Sequence, residues 1–342
     1  MKMVMTLGKF LIILIISLWV GLFIWTHQPL GQIFTGLCSV LWGLLAIACL
    51  IAGVKPDCLP KFLSKKNLSL AFFTGFMLAL ITFFSLKPSN TRDWQPEVSQ
   101  MLDYKLSGDG KVITLYHVRN FDWQSETNYR QHWETRQYNL DTLQSVDLIA
   151  SYWMGDAIAH TFLSFGFSDG TRVAFSIEIR KQTHERFTTW GGFLRNYEIM
   201  VIAADEKDLI YTRSNIRHED VYIYPLTLQP PELQQLFLAY VAKARALKHT
   251  PVWYNSLTNN CTTAMYPLFN GITPMPFAKQ WDYRWLVSGY FPNYFYDINK
   301  ISHKYDFASW QKKAHINPKS DKFSAQNPIT SPDYSTLIRK DF

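Results

Sequence analysis

Three apolar runs crowd the first ninety residues of the chain: Phe10–Thr26, Ile33–Val54 and Leu68–Leu86. Each approaches or reaches the roughly 20 residues a helix needs to cross a bilayer. A cleaved signal peptide would account for the first run alone. Two more follow with no obvious small-residue cleavage site, so the sequence predicts a three-span membrane anchor over residues 1–88. Lys55, Lys61, Lys65 and Lys66 crowd the link between the second and third spans, and Lys2 and Lys9 precede the first. The link around His27-Gln28-Pro29 carries no lysine or arginine. Because loops rich in Lys and Arg stay cytoplasmic, the expected topology has a cytoplasmic N-terminus and everything after Lys87 on the outer face. In a Gram-negative cell this makes a multi-pass protein of the inner (cytoplasmic) membrane with a periplasmic domain.

The same topology explains the basic charge. The cytoplasmic lysines set against Asp57 hold +5 of the net +7, leaving +2 for the remainder. A basic chain often binds nucleic acid, but here the charge reports orientation, so nucleic acid is not an expected partner. The outer part is long enough for one domain with a real core, expected over residues 89–316. From Asn317 to Phe342 prolines alternate with Ser, Asp and Lys, which reads as a loosely ordered polar tail.

Within the domain, Val112–Val118 reads as a strand, and the clearest local signal lies between His160 and Arg180. Two strand-like runs flank Ser168-Asp169-Gly170, the pattern of a β-hairpin. A two-residue turn at Asp169-Gly170 sets His160 opposite Ile179. A three-residue turn with Gly170 left-handed sets it opposite Glu178. Burial decides between them. Only the three-residue register gathers Thr161, Leu163 and Phe165 on one face with Ile177, Phe175 and Val173, and a one-residue slip exchanges the faces of a strand. The other face then holds His160, Phe162, Ser164 and Gly166 beside Glu178, Ser176, Ala174 and Arg172. It is small and polar, suited to close approach by a helix, and it lets Glu178 orient His160. By residue type alone, His160 reads as well as a surface or core histidine without chemistry.

Pro230-Pro231-Glu232 opens a core helix with Leu233, Leu236, Phe237, Tyr240, Val241 and Ala244 at helical spacing. Further on, Thr258-Asn259-Asn260 supply capping side chains for a helix expected from Cys261 to about Asn270-Gly271. Cys38, Cys49 and Cys58 lie in or beside the apolar runs, so Cys261 is the one thiol of the outer part. A lone cysteine is commonly a buried, inert one. A position in the first turn of a helix and polar Asn-Asn neighbours point instead to a nucleophilic thiolate. With no His or second Cys at ligand spacing, no metal site is expected, and no cofactor.

At this point several segments resemble a known family. They are His117-Val118-Arg119-Asn120-Phe121-Asp122-Trp123, Ala159–Phe165, Phe175–Arg180, Gly191-Gly192-Phe193, Ala204-Asp205-Glu206, and Tyr254-Asn255 followed by Thr258-Asn259-Asn260-Cys261-Thr262-Thr263. Together, from about Arg92 to His303, they resemble the Lnb N-terminal periplasmic domain family, named for a bacterial lipoprotein N-acyltransferase. The order, histidine on a strand and then cysteine at a later helix start, is also similar to circularly permuted papain-like and NlpC-like cysteine enzymes. The resemblance implies an α+β fold: a permuted papain-like domain with an antiparallel sheet packed on a Cys-bearing helix, behind three transmembrane helices. It implies Cys261 as nucleophile and His160 as base, with Glu178 as the orienting group on the register argument. Asn260, Tyr254 and Thr262 would support the oxyanion.

The implied reaction moves a fatty acyl group through a Cys261 thioester to the N-terminal amine of a diacylglyceryl-modified lipoprotein, with membrane phospholipid as a possible donor. The aromatic stretch Trp281–Tyr296 either lines an acyl groove at the headgroup level or is ordinary core. Trp281, Arg284 and Trp285 are the weaker substrate-binding candidates, Arg284 also reading as a solvated arginine. Arg119, Arg180 and Arg213 read as structural partners of nearby acids. Two other functions fit the same residues: a periplasmic cysteine peptidase or amidase, and a non-catalytic membrane-anchored binding module. A lipid-lined cleft at the membrane would accord with transfer, a wet groove with hydrolysis.

Overall fold

The computed structural model describes residues 2–28, 31–55, 59–272, 282–324, 330–340 and 342. They divide into two compact units, one of residues 1–88 with Phe187–Tyr197 and one of Ser89–Arg186 with Glu198–Phe342. The domain expected to begin at residue 89 therefore gives up an eleven-residue internal segment, which includes Gly191-Gly192-Phe193, to the first unit.

The first unit contains α1 (Lys2–His27), α2 (Gln32–Val54) and α3 (Lys65–Ser85). All three are long and apolar enough to cross a membrane. Ser64 caps α3 by accepting from the Asn67 N–H. Where the helices meet, the Trp42 ring stacks on Phe72 at 4.8 Å and its indole N–H donates to the Ser17 carbonyl at 3.0 Å. Elsewhere leucines, isoleucines and phenylalanines such as Leu14, Ile33, Leu44 and Phe84 face outward. Three helices with this much exposed apolar surface need hydrocarbon around them.

The second unit is built on an eight-stranded sheet. In chain order the strands are β1 (Asp103–Leu106), β2 (Val112–Arg119), the short pair β3 (Asp122–Trp123) and β4 (Tyr129–Arg130), β5 (Trp133–Asn139), β6 (Leu143–Tyr152), β7 (Ala159–Phe167), β8 (Arg172–Arg180), β9 (Glu198–Ala204) and β10 (Asp220–Pro225). The sheet order is β1-β2-β9-β8-β7-β6-β10, with β5 also on β2 and β3–β4 apart. Neighbours are antiparallel except for one parallel bridge, Arg119 to Ala204, so the sheet is mixed rather than purely antiparallel.

The hairpin adopts the three-residue register. Phe165 pairs with Val173 and Leu163 with Phe175, and Gly170 closes the turn at φ +84°, where a side chain would be strained. One face of β7 and β8 carries Leu163, Phe165, Val173 and Phe175 onto α5 (Pro230–His249). The Phe237 ring lies 5.2 Å from Phe165 and 5.0 Å from Phe175, edge to face. Burying each such side chain contributes roughly 1.5–3 kcal/mol.

The opposite, polar face takes α4 (Glu206–Tyr211), which Asp205 caps by accepting from the Lys207 N–H. Gly166 and Ser164 leave room for charges there. Ser164 donates to Glu206, and Arg172 pairs with Asp147 at 2.7 Å. The remaining helices are α6 (Tyr266–Asn270), α7 (Phe291–Asp297), α8 (Phe307–Ala314), α9 (Asn317–Ser320) and α10 (Ser331–Ile338).

The last of these correct the expectation of a loosely ordered tail after Asn317. Tyr334 and Ile338 are fully buried, the Ser320 and Tyr334 hydroxyls meet at 3.0 Å, and the Arg339 guanidinium reaches Glu206 and Asp147, the latter at 2.8 Å. The polar composition misled because its charges serve as partners for buried carboxylates. Replacing Arg339 with Met leaves Glu206 and Asp147 short of positive charge in the interior. Chemical denaturation should read a loss of about 3–5 kcal/mol of stability.

Candidate active site

The site forms where β7 and β8 stop pairing. Their regular register covers Leu163–Gly166 only. The Thr161 N–H and the His160 side chain both act on the Cys261 thiol to lower it. The sulfur lies 3.7 Å from the Thr262 hydroxyl, which in turn meets the Thr161 hydroxyl at 3.1 Å. Strand and loop are therefore stitched together at adjacent residues, His160-Thr161 against Cys261-Thr262.

The imidazole is held from its other side. Nε2 of His160 lies 2.7 Å from Ser176 Oγ and 3.1 Å from Glu178 Oε1, and Ser176 itself donates to Glu178 at 2.7 Å. With Nε2 engaged there, Nδ1 is the nitrogen left for the thiol. Glu178 therefore reaches His160 by its side chain, beyond the end of the regular pairing, and it shares the ring with Ser176. Behind Glu178, Arg213 bridges two carboxylates, reaching Glu178 and Glu219 at 3.2 Å each. Its guanidinium also lies over the Phe162 ring, 5.6 Å from the centroid. Arg213 belongs to a π-helical turn, Thr212–Ile216, a local widening often found at functional sites. Glu219 in turn accepts from Ser151, the β6 residue paired with His160.

These charges set the ionisation of the pair. Burial alone would raise the Cys261 thiol, but the neighbouring imidazole and the hydrogen bonds from His160, Thr161 and Thr262 bring it down to about 7. Burial and Arg213 push His160 down; Glu178 and the thiolate more than reverse this and lift it to about 9. Burial would likewise raise Glu178, yet His160 and Arg213 hold it well below the usual carboxylate range. The two groups titrate as one coupled system. As pH rises through about 7 the thiolate forms, and as it rises through about 9 the imidazolium is lost, so the ion pair occupies the window between.

One structural expectation fails here. Cys261 is not in a helix: residues 261–265 form turns, and α6 begins only at Tyr266 and runs five residues. Asn260 does cap the turns, its Oδ1 accepting from the N–H groups of Thr262 and Thr263. The Thr263 hydroxyl answers Asn260 by accepting from its N–H at 2.8 Å, while the Thr262 hydroxyl turns to Thr161 and Cys261. So short a helix brings little dipole to the thiol, whose depression comes from the imidazole. The amide of Asn260 is committed too, its Nδ2 donating to Ser256 O. Of the expected oxyanion donors, Thr262 has its hydroxyl against the sulfur. Burial, and after it the charge of Cys261, raises Tyr254 well above its ordinary range, so its hydroxyl stays protonated.

The weaker binding candidates are elsewhere. Trp285 is core, packed edge-on against Tyr266 at 4.5 Å and Phe291 at 4.6 Å. Arg284 is taken by Asp282 at 2.7 Å and Asp297 at 2.6 Å, leaving little charge for a phosphate. Trp281 lies outside the described residues. Phe291, Tyr294 and Phe295 are fully buried, so this part of the aromatic stretch is interior. Arg119 pairs with Asp208 at 2.8 Å as expected, whereas Arg180 donates mainly to the carbonyls of Val98 and Ser99. Ser176 was missed because a serine between two apolar strand residues carries no motif. It was nonetheless on the same face as His160 and Glu178.

Beside the site, a cleft of about 730 Å³ is lined by Tyr152, Asp156, Arg217, Glu219, Asp220 and Tyr290, among others. It shares Glu219 with the charge network. Gly289 forms part of its wall, and no side chain fits at that position, since a Cβ would stand 2.0 Å from the Asp156 carbonyl oxygen. The cleft is polar. Among the described residues no group of three or more His, Cys, Asp or Glu side chains is arranged to hold a metal.

Residues 129–289 match the family model of the Lnb N-terminal periplasmic domain. The matched span contains His160, Ser176, Glu178, Arg213, Tyr254 and Cys261, and it supports the family resemblance over a narrower stretch than the motifs outlined, leaving out His117–Trp123. No curated protein and no solved structure matches the chain.

If the ion pair is formed as described, alkylation of Cys261 by iodoacetamide, followed by peptide mass spectrometry, should reach half its maximal rate near pH 7. In His160→Ala the midpoint should move up to an ordinary thiol value of about 8.5 or beyond. A midpoint unmoved by that substitution would show the two side chains to be uncoupled.

Proposed function

We propose that this protein is a membrane-bound thiol acyltransferase that acylates the N-terminal amine of bacterial lipoproteins. The coupling of Cys261 to His160, with Ser176 and Glu178 behind the ring, carries the reading, and its position within the matched periplasmic domain supports it. Histidine on a strand followed by cysteine in a later loop also accords with a permuted papain-like arrangement.

The proposed reaction has two halves. The Cys261 thiolate attacks an ester carbonyl of a glycerolipid, a membrane phospholipid in this reading, while His160 holds the thiol proton. Collapse of the tetrahedral adduct breaks the ester C–O bond, and His160 gives its proton to the departing hydroxyl. The acceptor amine of a diacylglyceryl-modified lipoprotein then attacks the thioester. The C–S bond breaks, the amide forms, and His160 takes up the proton the amine loses. Tyr254 donates to the oxyanion in both halves. Glu178 and Ser176 keep the ring oriented. On this proposal the anchor lies in the inner membrane with its N-terminus in the cytoplasm, and the domain works in the periplasm beside both substrates.

A second reading, a periplasmic thiol peptidase or amidase with water as acceptor, draws support from the polar lining of the cleft that shares Glu219. The fate of the acyl group separates the two: an amide on a lipoprotein N-terminus for transfer, a free acid for hydrolysis.

Mass spectrometry of lipoprotein N-termini from cells with and without the gene tests the proposal directly. Cys261→Ala should abolish N-acylation while the protein remains folded in the membrane, and wild-type acylation by that variant would end the covalent mechanism. Glu178→Gln should retain partial activity. Tyr254→Phe should slow acyl transfer by about 10²- to 10³-fold, the cost of one oxyanion donor.

A further inference from the structure

The excursion Phe187–Tyr197 joins β8 to β9, yet it clusters with the apolar helices of the first unit. Its attachment there is polar and aromatic together. Arg195 donates to the Phe83 carbonyl at 2.9 Å and lies over the rings of Phe83 and Phe84, 4.4 and 5.3 Å from their centroids. The Leu194 carbonyl meets Nε2 of His27 at 2.8 Å. His27 is the last residue of α1, and Phe83 and Phe84 belong to the last turn of α3. Both helices therefore end against this segment, so it lies at the depth where two candidate spans leave the hydrocarbon.

A segment at that depth meets the headgroup region, and its composition matches. Three of its eleven residues are large, exposed aromatics: Phe187 at 41%, Trp190 at 56% and Phe193 at 40%. Trp190 and Phe193 lie with ring centroids 6.5 Å apart, making a continuous apolar ridge. The backbone beneath them is fixed from inside. Tyr197 is fully buried and its hydroxyl accepts from the Thr188 N–H at 2.9 Å, while Gly191 admits the Tyr197 ring where a Cβ would be only 2.7 Å away. Phe187 stacks on Tyr197 at 6.2 Å and so helps to brace the turn, whereas the outward rings of Trp190 and Phe193 are not explained by its folding. In a bilayer, tryptophan and other amphipathic rings concentrate at the interface.

We propose that Phe187–Tyr197 is a further membrane-contact element, with Trp190 and Phe193 inserted at the headgroup–acyl boundary of the leaflet where α1 and α3 end. The occupant of this surface is lipid rather than a protein partner, because the ridge continues the apolar surface of the helices that anchor it. The element lies far along the chain from the three spans. The proposal does not depend on acyl transfer.

The full-length protein, reconstituted in phosphatidylcholine nanodiscs with or without bromine near the glycerol end of the acyl chains, tests it by fluorescence. The emission difference between wild type and Trp190→Phe isolates Trp190 from the other tryptophans. That component should lose most of its intensity in the brominated lipid and resist aqueous iodide. A second chain, Trp190→Phe with Phe193→Trp, should behave in the same way. A component quenched by iodide and indifferent to bromine, in either chain, would overturn the proposal. Because the readout is spectroscopic, it stands apart from whether Cys261 forms a thioester.

Discussion

An ionised carboxylate taken out of water must either find positive charge and hydrogen bonds or give up its ionisation. The polar face of the central sheet is organised by that constraint. Glu178, Glu206 and Asp147 lie on or against it, and three arginines answer them: Arg213 bridges Glu178 to Glu219, Arg172 pairs with Asp147, and Arg339 spans Glu206 and Asp147. Only one of these carboxylates faces a group that can change its charge. Glu178 lies 3.1 Å from the His160 ring, so its negative charge becomes a bias on the imidazole rather than a purely structural pair. The imidazole passes that bias to the sulfur. Arg213 opposes it, pushing the ring down as it steadies Glu178. The ionisation of the thiol thus depends on a balance struck two side chains away.

The geometry at the sulfur follows from an interruption of β structure. While β7 and β8 remain in register their amides satisfy one another. Past Leu163 the regular pairing with β8 ends, and the Thr161 N–H is among the groups that lower Cys261. The usual source of a low-titrating cysteine, a long helix beginning at the thiol, is replaced by one imidazole, one strand amide and one neighbouring hydroxyl.

Much of this was legible in the sequence where a periodic pattern met a geometric rule. The apolar runs foretold α1, α2 and α3. The grouping of Leu163 and Phe165 with Phe175 and Val173 fixed the hairpin register and, with it, brought Glu178 within reach of His160. The Pro-Pro-Glu start and heptad-like spacing located α5. What escaped detection was polar and non-local. Ser176 becomes meaningful only when residues distant in sequence converge, and Arg213, read as a partner of acids, takes its place at the site only through its pairing with Glu178. The tail after Asn317 looked solvated because its partners lie far upstream. The Cys261 helix was over-extended because capping residues announce a start but not a length. The Phe187–Tyr197 segment could not be assigned to the membrane unit because nothing in its own composition names the ends of α1 and α3.

The reach of Arg339 back to Asp147 spans 192 positions. During synthesis or translocation, every residue between them has emerged before the guanidinium arrives. Until then Asp147 has Arg172 alone, and Glu206 has only a serine hydroxyl and a more distant guanidinium, 4.0 Å away. The charge balance of this layer is therefore completed only by a cation that the chain delivers late.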